Sequence, residues 1–440
     1  MCIICQTVSL GAALITGALP VAVPDTQTTQ SSAPPPSIAG TTCKTVGQQR
    51  TSGGVRYTCA ATKTKRVWRR TSAPATGTAT TSTSSTAVTT TTTTIPVGYL
   101  KPTCGPGVAD CPTVSATNPN VAECKITDAT PGDVAQGFPR PPRAKPGKAV
   151  LDVLVVPVRY AGSKATEASV RADFEREFTK AREFFERNAY KRVTPNFTLE
   201  PESQWVVVGD TSQQFINARG SDLKRVTQDI VSQIPRQNLG AFDSIFIVAA
   251  GGTTYWGGMD QTATYSHASG AVHSVYFQTG PASNTYFQHN LGHTAYYMED
   301  LYLHPHFRTP GADINPFKYD VMSSGDDFSV WNRWLAGFVA DSEVRCVPAN
   351  AAESTHRLVH ANNANGEKLA MVPLGSGRAL FAEYINYGVH VYALDSNIGH
   401  GAGPIKTLGL LQAGQSITHA GMQVTVSAAD SSSVYVKIGR

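Results

Sequence analysis

The chain has 440 residues, enough for about three domains of ordinary size. A hydrophobic share of 41% against 16% charged residues supplies a sizeable core and excludes wholesale disorder. No apolar run of about 18 residues or more lies beyond the first two dozen positions, which excludes a multi-spanning membrane protein. The formal net charge of +5 is unevenly spread. Residues 1–100 carry eight Lys/Arg (Lys44, Arg50, Arg56, Lys63, Lys65, Arg66, Arg69, Arg70) against one acid, Asp25. That local +7 leaves −2 for the other 340 residues, so the bulk lacks the basic stripe that nucleic acid would require.

Residues 1–24 form an uncharged apolar leader of signal-peptide length, without an n-region Lys/Arg or a small-x-small cleavage site. Export is expected, to a secreted or cell-surface location of bacterial type. Residues 25–42, rich in Thr, Ser, Pro and Gln, read as a flexible lead-in. Residues 43–70 read as a small Cys-pair β module, with a turn at Ser52-Gly53-Gly54 and strand alternation over 55–58. A solvated basic hairpin is the preferred role, and binding to the cell envelope the alternative. Residues 71–96 are nearly all Thr, Ser and Ala, a composition that cannot bury a core and marks a linker. Residues 97–146 are irregular and contain cysteine.

Of eight cysteines, Cys2 and Cys5 lie in the leader, leaving six. Cys43 and Cys59 are expected to pair within their module. Cys104, Cys111, Cys124 and Cys346 allow three connectivities, and disulfides suit an exported chain.

A main domain is expected over 147–345. It opens with a buried strand over 150–158, then a helix over 166–189 with Val170, Phe174, Phe178, Ala181 and Phe185 on one face. Strands follow near 196–199 and 205–208, a helix near 212–233, and a buried strand over 242–250. Beyond 346 the pattern changes to short strands over 379–383, 389–394, 422–427 and 434–438, which reads as a C-terminal β-sandwich over 346–440. The fold class is therefore α+β, a mixed sheet with an active-site helix followed by that sandwich.

The segment that carries chemistry is His289-Asn290-Leu291-Gly292-His293-Thr294-Ala295-Tyr296-Tyr297-Met298-Glu299-Asp300-Leu301-Tyr302. Two histidines four apart on a helix share a face, the spacing needed to grip one zinc through two imidazoles. Downstream come Tyr319-Asp320-Val321-Met322-Ser323-Ser324-Gly325 and Trp331-Asn332-Arg333-Trp334-Leu335-Ala336-Gly337-Phe338. Upstream lies Phe184-Phe185-Glu186-Arg187-Asn188-Ala189-Tyr190-Lys191. In chain order, and over about residues 147–440, these segments make the chain resemble the immune inhibitor A-like family of secreted zinc metallopeptidases. That family's pattern is H-E-x-x-H-x-x-G-x-x-D.

The resemblance implies a zincin-like domain, zinc as cofactor and a peptide or protein as ligand. It implies His289 and His293 as zinc ligands, Glu299 or else Asp300 as the third, and Met322 as a Met-turn beneath the metal. Glu299 stands at the Asp position of the pattern and ranks slightly ahead of Asp300, with His304 and His306 as outsiders. Two departures fall at the site. Asn290 replaces the Glu that would take a proton from the attacking water, a contribution worth about 10²–10⁴-fold. Tyr296 replaces the Gly that lets the chain leave the helix through a left-handed residue, which for Tyr costs about 1–2 kcal/mol. Smaller departures are Ala189, Lys191 and Ile385, where the pattern has Ser, Gly and Arg.

Other motifs carry less. Ser221-Asp222-Leu223-Lys224 fits S-x-x-K but sits in a predicted helix without partners. His267 and His273 read as core or edge histidines, with a place lining the cleft as the alternative; Asp326-Asp327 reads as a solvated loop, with contact to a cation as the alternative. Three functions follow: a zinc-binding pseudopeptidase, favoured by Asn290; a working zinc endopeptidase with a substitute base; and a cell-surface scaffold with a vestigial cleft.

Overall fold

The structure, a computed structural model, describes residues 49–52, 55–61, 66–70, 100–115, 120–128, 135–211, 221–251, 257–259, 263–278 and 286–440. The leader, the lead-in, the Thr/Ser linker and Cys43 lie outside the described residues. The chain divides into two compact units, Met1–Thr93 and Thr94–Arg440. In the first, β1 (Gln49–Ser52), β2 (Val55–Ala61) and β3 (Arg66–Arg70) form an antiparallel meander. Cys59 on its central strand is buried and disulfide-bonded.

The second unit is built on β4 (Val150–Ala161), whose side chains alternate between two cores. Leu151, Val153 and Val155 enter one, Leu154, Val156 and Val158 the other. Helix α1 (Glu167–Asn188) begins at a capping box in which Thr166 accepts from the Ser169 N–H and Ser169 answers to the Thr166 N–H. It buries Val170, Phe174, Phe178, Ala181 and Phe185, the face expected from sequence. The helix is followed by left-handed Tyr190 and Lys191, φ 55° and 62°; Lys191 holds that conformation where the pattern has Gly.

Strands β5 (Thr194–Leu199) and β6 (Val206–Thr211) pair parallel with the first and second halves of β4. Helix α2 (Ser221–Val231) leads to β7 (Ser244–Ala249), parallel to β4 on its other edge. After β8 (Gly257–Gly258) and the hairpin β9 (Tyr265–His267) and β10 (Gly270–Val272), β11 (Val275–Gln278) pairs parallel with β7 and antiparallel with β8. The sheet is mixed, in the order β5-β4-β7-β11-β8 with β6 beside β4. Helices α1 and α3 (Tyr286–Tyr296) cover one face and α2 the other.

Helix α4 (Val330–Leu335) and β12 (Val344–Cys346) lead into the strand-rich end. There follow β13 (Ser354–Val359), β14 (Leu369–Gly375), β15 (Arg378–Ile385), β16 (Gly388–Asp395) and β17 (Ile405–Leu411). The chain closes with β18 (Ser416–His419), β19 (Met422–Ala429) and β20 (Ser433–Gly439). Two sheets result, β12-β14-β15-β16-β17 and β13-β20-β19-β18, sharing a core that includes Val372, Leu380, Val391, Val424 and Val436. The outer face of the first sheet, with Met371, Phe381 and Tyr392, packs against Trp331 and Trp334 in the core that also holds α3. Segments 147–345 and 346–440 thus share one continuous apolar interior, in a mixed α+β arrangement. Among the described residues no helix is long and apolar enough to cross a membrane.

Cys104, Cys111, Cys124 and Cys346 pair as Cys104–Cys111 and Cys124–Cys346, one of the three connectivities that sequence left open. The second joins residues 222 apart. Its removal in Cys124→Ser/Cys346→Ser should lower stability by about 2–5 kcal/mol in urea unfolding. His356 in β13 is buried, and burial with the nearby Arg345 charge lowers its pKa to about 4. Between the unfolded value of about 6.5 and 4, the unfolded chain binds a proton that the folded chain does not, so stability falls as pH drops through that window. A His356→Gln variant should show a shallower loss between pH 6.5 and 4, by at most about 3 kcal/mol; parallel curves for the two proteins would contradict this.

Candidate metal centre

Helix α3 carries His289 and His293 and is anchored on both sides. The Ser244 hydroxyl donates to Thr294 Oγ1 at 2.8 Å, tying the helix to β7. Gly292 faces the Met322 sulfur so closely that a Cβ there would collide with it. Met322 is fully buried and sits against the helix one residue before His293. Its turn is shaped by buried Asp320, which accepts from the Met322 and Ser329 N–H groups at 2.8 and 2.7 Å and from the Asn332 amide at 2.9 Å.

The helix continues through Tyr296, whose ring packs against Phe338 and Phe185. The chain turns one residue later, at Tyr297, φ 54°. There the Tyr297 N–H donates to His293 O and the Met298 N–H to Gly292 O, at 3.1 and 3.0 Å. In the pattern the sequence resembles, the acid follows the glycine by three. Here the left-handed residue is Tyr297, and the third residue after it is Asp300. With the turn at Tyr297, Asp300 rather than Glu299 lies against the two histidines.

A left-handed Tyr costs about 1–2 kcal/mol, and two contacts hold it. Arg140 donates through Nη2 to Tyr296 O at 2.6 Å and Tyr297 O at 3.2 Å, and through Nη1 to Ala135 O and Gly137 O. Charge-assisted bonds of this kind contribute about 1.5–3 kcal/mol each, and a cation at a helix C-terminus is favoured by the dipole. The Tyr297 hydroxyl and Ser274 Oγ lie 2.9 Å apart. Burial lowers the Arg140 pKa to about 10 against the pull of Asp128 and Glu299, so it stays charged at neutral pH.

Three ligand atoms converge. His289 Nε2 and His293 Nε2 are 3.0 Å apart, and Asp300 Oδ1 lies 3.1 and 3.2 Å from them. His289 Nδ1 faces Val321 O at 2.8 Å and His293 Nδ1 faces Met298 O at 2.7 Å. A carbonyl can only accept, so both Nδ1 atoms carry a proton, and each neutral ring has its Nε2 lone pair to offer to a cation in the space between them. A tetrahedral zinc with bonds of about 2.0–2.1 Å separates its ligand atoms by about 3.3 Å. The observed spacings fit a small cation, and two imidazoles with a carboxylate suit zinc.

Electrostatics favour positive charge here. Burial opposes ionisation of Asp300, yet His293, His289 and His304 hold its carboxyl well below the usual range. Burial likewise opposes a charged His289, and the Asp300 carboxylate outweighs it, raising the pKa. Glu299 behaves in the opposite way. Its burial, with Asp128 and Asp300 nearby, pushes its carboxyl up to about 8. Asn290 lies buried between the two histidines in sequence.

Of the other candidates, His304 reaches Asp300 Oδ2 through Nε2 at 2.9 Å, while the His306 ring lies 5.9 Å from that of His304. His267 is occupied by Ser269 and Ile234 O, and His273 by Thr264. Ser221 begins α2, on the opposite face of the sheet from α3. Asp327 accepts from Arg187 and Asn188 rather than facing open solution. A cleft lined by Tyr319, Asp326, Arg333, His360 and Glu383 contains none of the site histidines. Arg140, Asp320 and His400 also shape the site, although none was expected from sequence to do so. Asp320 alone carried a signal, its place two residues before Met322.

No family model matches the chain, and no curated protein is significantly similar to it.

Arg140→Ala removes the clamp on the turn and leaves buried carbonyls unsatisfied. It should cost about 1–3 kcal/mol in urea unfolding and weaken zinc retention against a chelator. Unchanged retention would show that the turn holds without Arg140.

Proposed function

We propose that this chain is a secreted, zinc-binding protein of metallopeptidase type whose hydrolytic power is impaired by Asn290. The observation that supports zinc is the convergence of His289 Nε2, His293 Nε2 and Asp300 Oδ1, with both outer ring nitrogens committed to backbone carbonyls. Fixing the outer nitrogen selects the tautomer and orients the ring, as ligand histidines require. Zinc held there would polarise a peptide carbonyl as a Lewis acid. Met322 and Gly292 set how closely the floor of the site approaches the helix, and Arg140 keeps the third ligand in place.

What the residues do not supply is a proton acceptor at position 290. The amide of Asn290 cannot take a proton at neutral pH, so an attacking water goes unassisted from that position. A bound peptide would be polarised and positioned without efficient cleavage. The zincin-like identity, the peptide ligand and export belong to this reading. The disulfides Cys104–Cys111 and Cys124–Cys346 are compatible with an extracellular protein. Attachment of the basic module 43–70 to a cell envelope is the companion proposal for the first unit.

Metal analysis of the full chain after exhaustive dialysis should find zinc retained, and His293→Ala should lower the content by one equivalent. Asn290→Glu should then raise peptide hydrolysis by about 10²–10⁴-fold. Zinc content unaffected by His293→Ala would contradict the site. Vigorous hydrolysis by the unaltered chain would contradict the impairment.

A further inference from the structure

Asp300 has two carboxylate oxygens, and only one faces His289 and His293. The other, Oδ2, lies 2.9 Å from His304 Nε2 and 3.9 Å from His400 Nε2. These three side chains offer ligand atoms that all lie within 4.8 Å of one another. His400 arrives from the loop between β16 and β17 in the strand-rich end of the unit, 100 residues along the chain from Asp300.

That loop is fitted to the site. Gly401, φ 72°, presses on the His304 ring so closely that a Cβ would collide with it, and its carbonyl accepts the His304 N–H at 2.8 Å. The His304 and His400 rings meet edge to face, with centroids 4.8 Å apart.

A hydrogen bond from His304 to Asp300 accounts for one of these contacts. It leaves His400 unexplained. Its Nε2 lies 3.9 Å from Asp300 Oδ2, too far for a hydrogen bond. Its Nδ1 is buried without a hydrogen-bond partner among the described residues, 3.9 Å from Glu299 Oε2, which is equally buried and without a partner. With each nitrogen 3.9 Å from a carboxyl oxygen, Asp300 Oδ2 on one side and Glu299 Oε2 on the other, the ring stands in the order of a metal-ligating histidine and its outer carboxyl group.

We propose that Asp300 is a bridging carboxylate and that its Oδ2, with His304 and His400, forms a second site for a divalent transition-metal ion beside the first. Two imidazoles and a carboxylate select an ion of the zinc, cobalt or nickel kind over calcium or magnesium, which take oxygen ligands. Glu299 acts as the positioning residue for His400. The second ion would fasten the strand-rich end to the loop that follows α3. This inference rests on the zinc reading of the first site, because the two share Asp300.

The test is titration of the full chain, stripped of metal, with zinc alone, followed calorimetrically, with circular dichroism confirming that each variant is folded. Two equivalents are expected for the unaltered chain. His304→Ala and His400→Ala should each bind one, and His293→Ala should keep the equivalent bound near His400. Glu299→Gln should weaken the second equivalent about 10-fold or more while sparing the first. One equivalent in both the unaltered chain and His400→Ala overturns the second site and leaves the first standing. One equivalent lost in His400→Ala but kept in His289→Ala supports the second site and overturns the first. No binding to the unaltered chain overturns both.

Discussion

The hydrogen bonds from Arg140 to the carbonyls of Tyr296 and Tyr297 hold the chain where helix α3 turns back on itself. Without that turn the helix would carry Asp300 about 10 Å along its axis from His293, at 1.5 Å per residue. With it, Asp300 lies 3.1 and 3.2 Å from the two histidine nitrogens. The local cost of a left-handed tyrosine is smaller than the charge-assisted bonds that oppose it. A segment that sequence marked only as irregular therefore fixes the geometry of the centre. Cys124–Cys346 and the Lys145 N–H on Ala295 O tie that segment to the fold at two further points.

The same centre separates binding from catalysis. Grip on a cation depends on the histidine tautomers and on Asp300, all set by backbone carbonyls and the turn. Proton transfer depends on a different position, 290, where the side chain is an amide. In the proposed reading, an amide at 290 would leave that geometry unchanged while removing the proton acceptor.

Much of the fold was legible because it follows local periodicity. The stripe Val170, Phe174, Phe178, Ala181, Phe185 placed α1, and the apolar run over 150–158 placed β4. The histidine pair was legible because four-residue spacing on a helix needs no tertiary information. The choice between Glu299 and Asp300 was not. It depends on one φ angle, and that angle is set by Arg140 and Ser274, distant in sequence. His400 was invisible for the same reason, since only the packing of the β16–β17 loop brings it near Asp300. The pairing of Cys124 with Cys346 likewise depends on where residues 120–128 lie against the strand-rich end.

The strand-rich end is more than an appendage. Its first sheet shares a core with α3, and its loop delivers Gly401 and His400 to the loop that carries Asp300 and His304. In the proposed zinc centre Asp300, positioned by the turn at Tyr297, is the third ligand. Anomalous diffraction at the zinc edge, from crystals of the full chain grown with zinc, is the decisive measurement. A peak bounded by His289 Nε2, His293 Nε2 and Asp300 Oδ1 is expected. A peak ligated by Glu299 with Asp300 turned away, or no peak at the two histidines, would contradict that assignment.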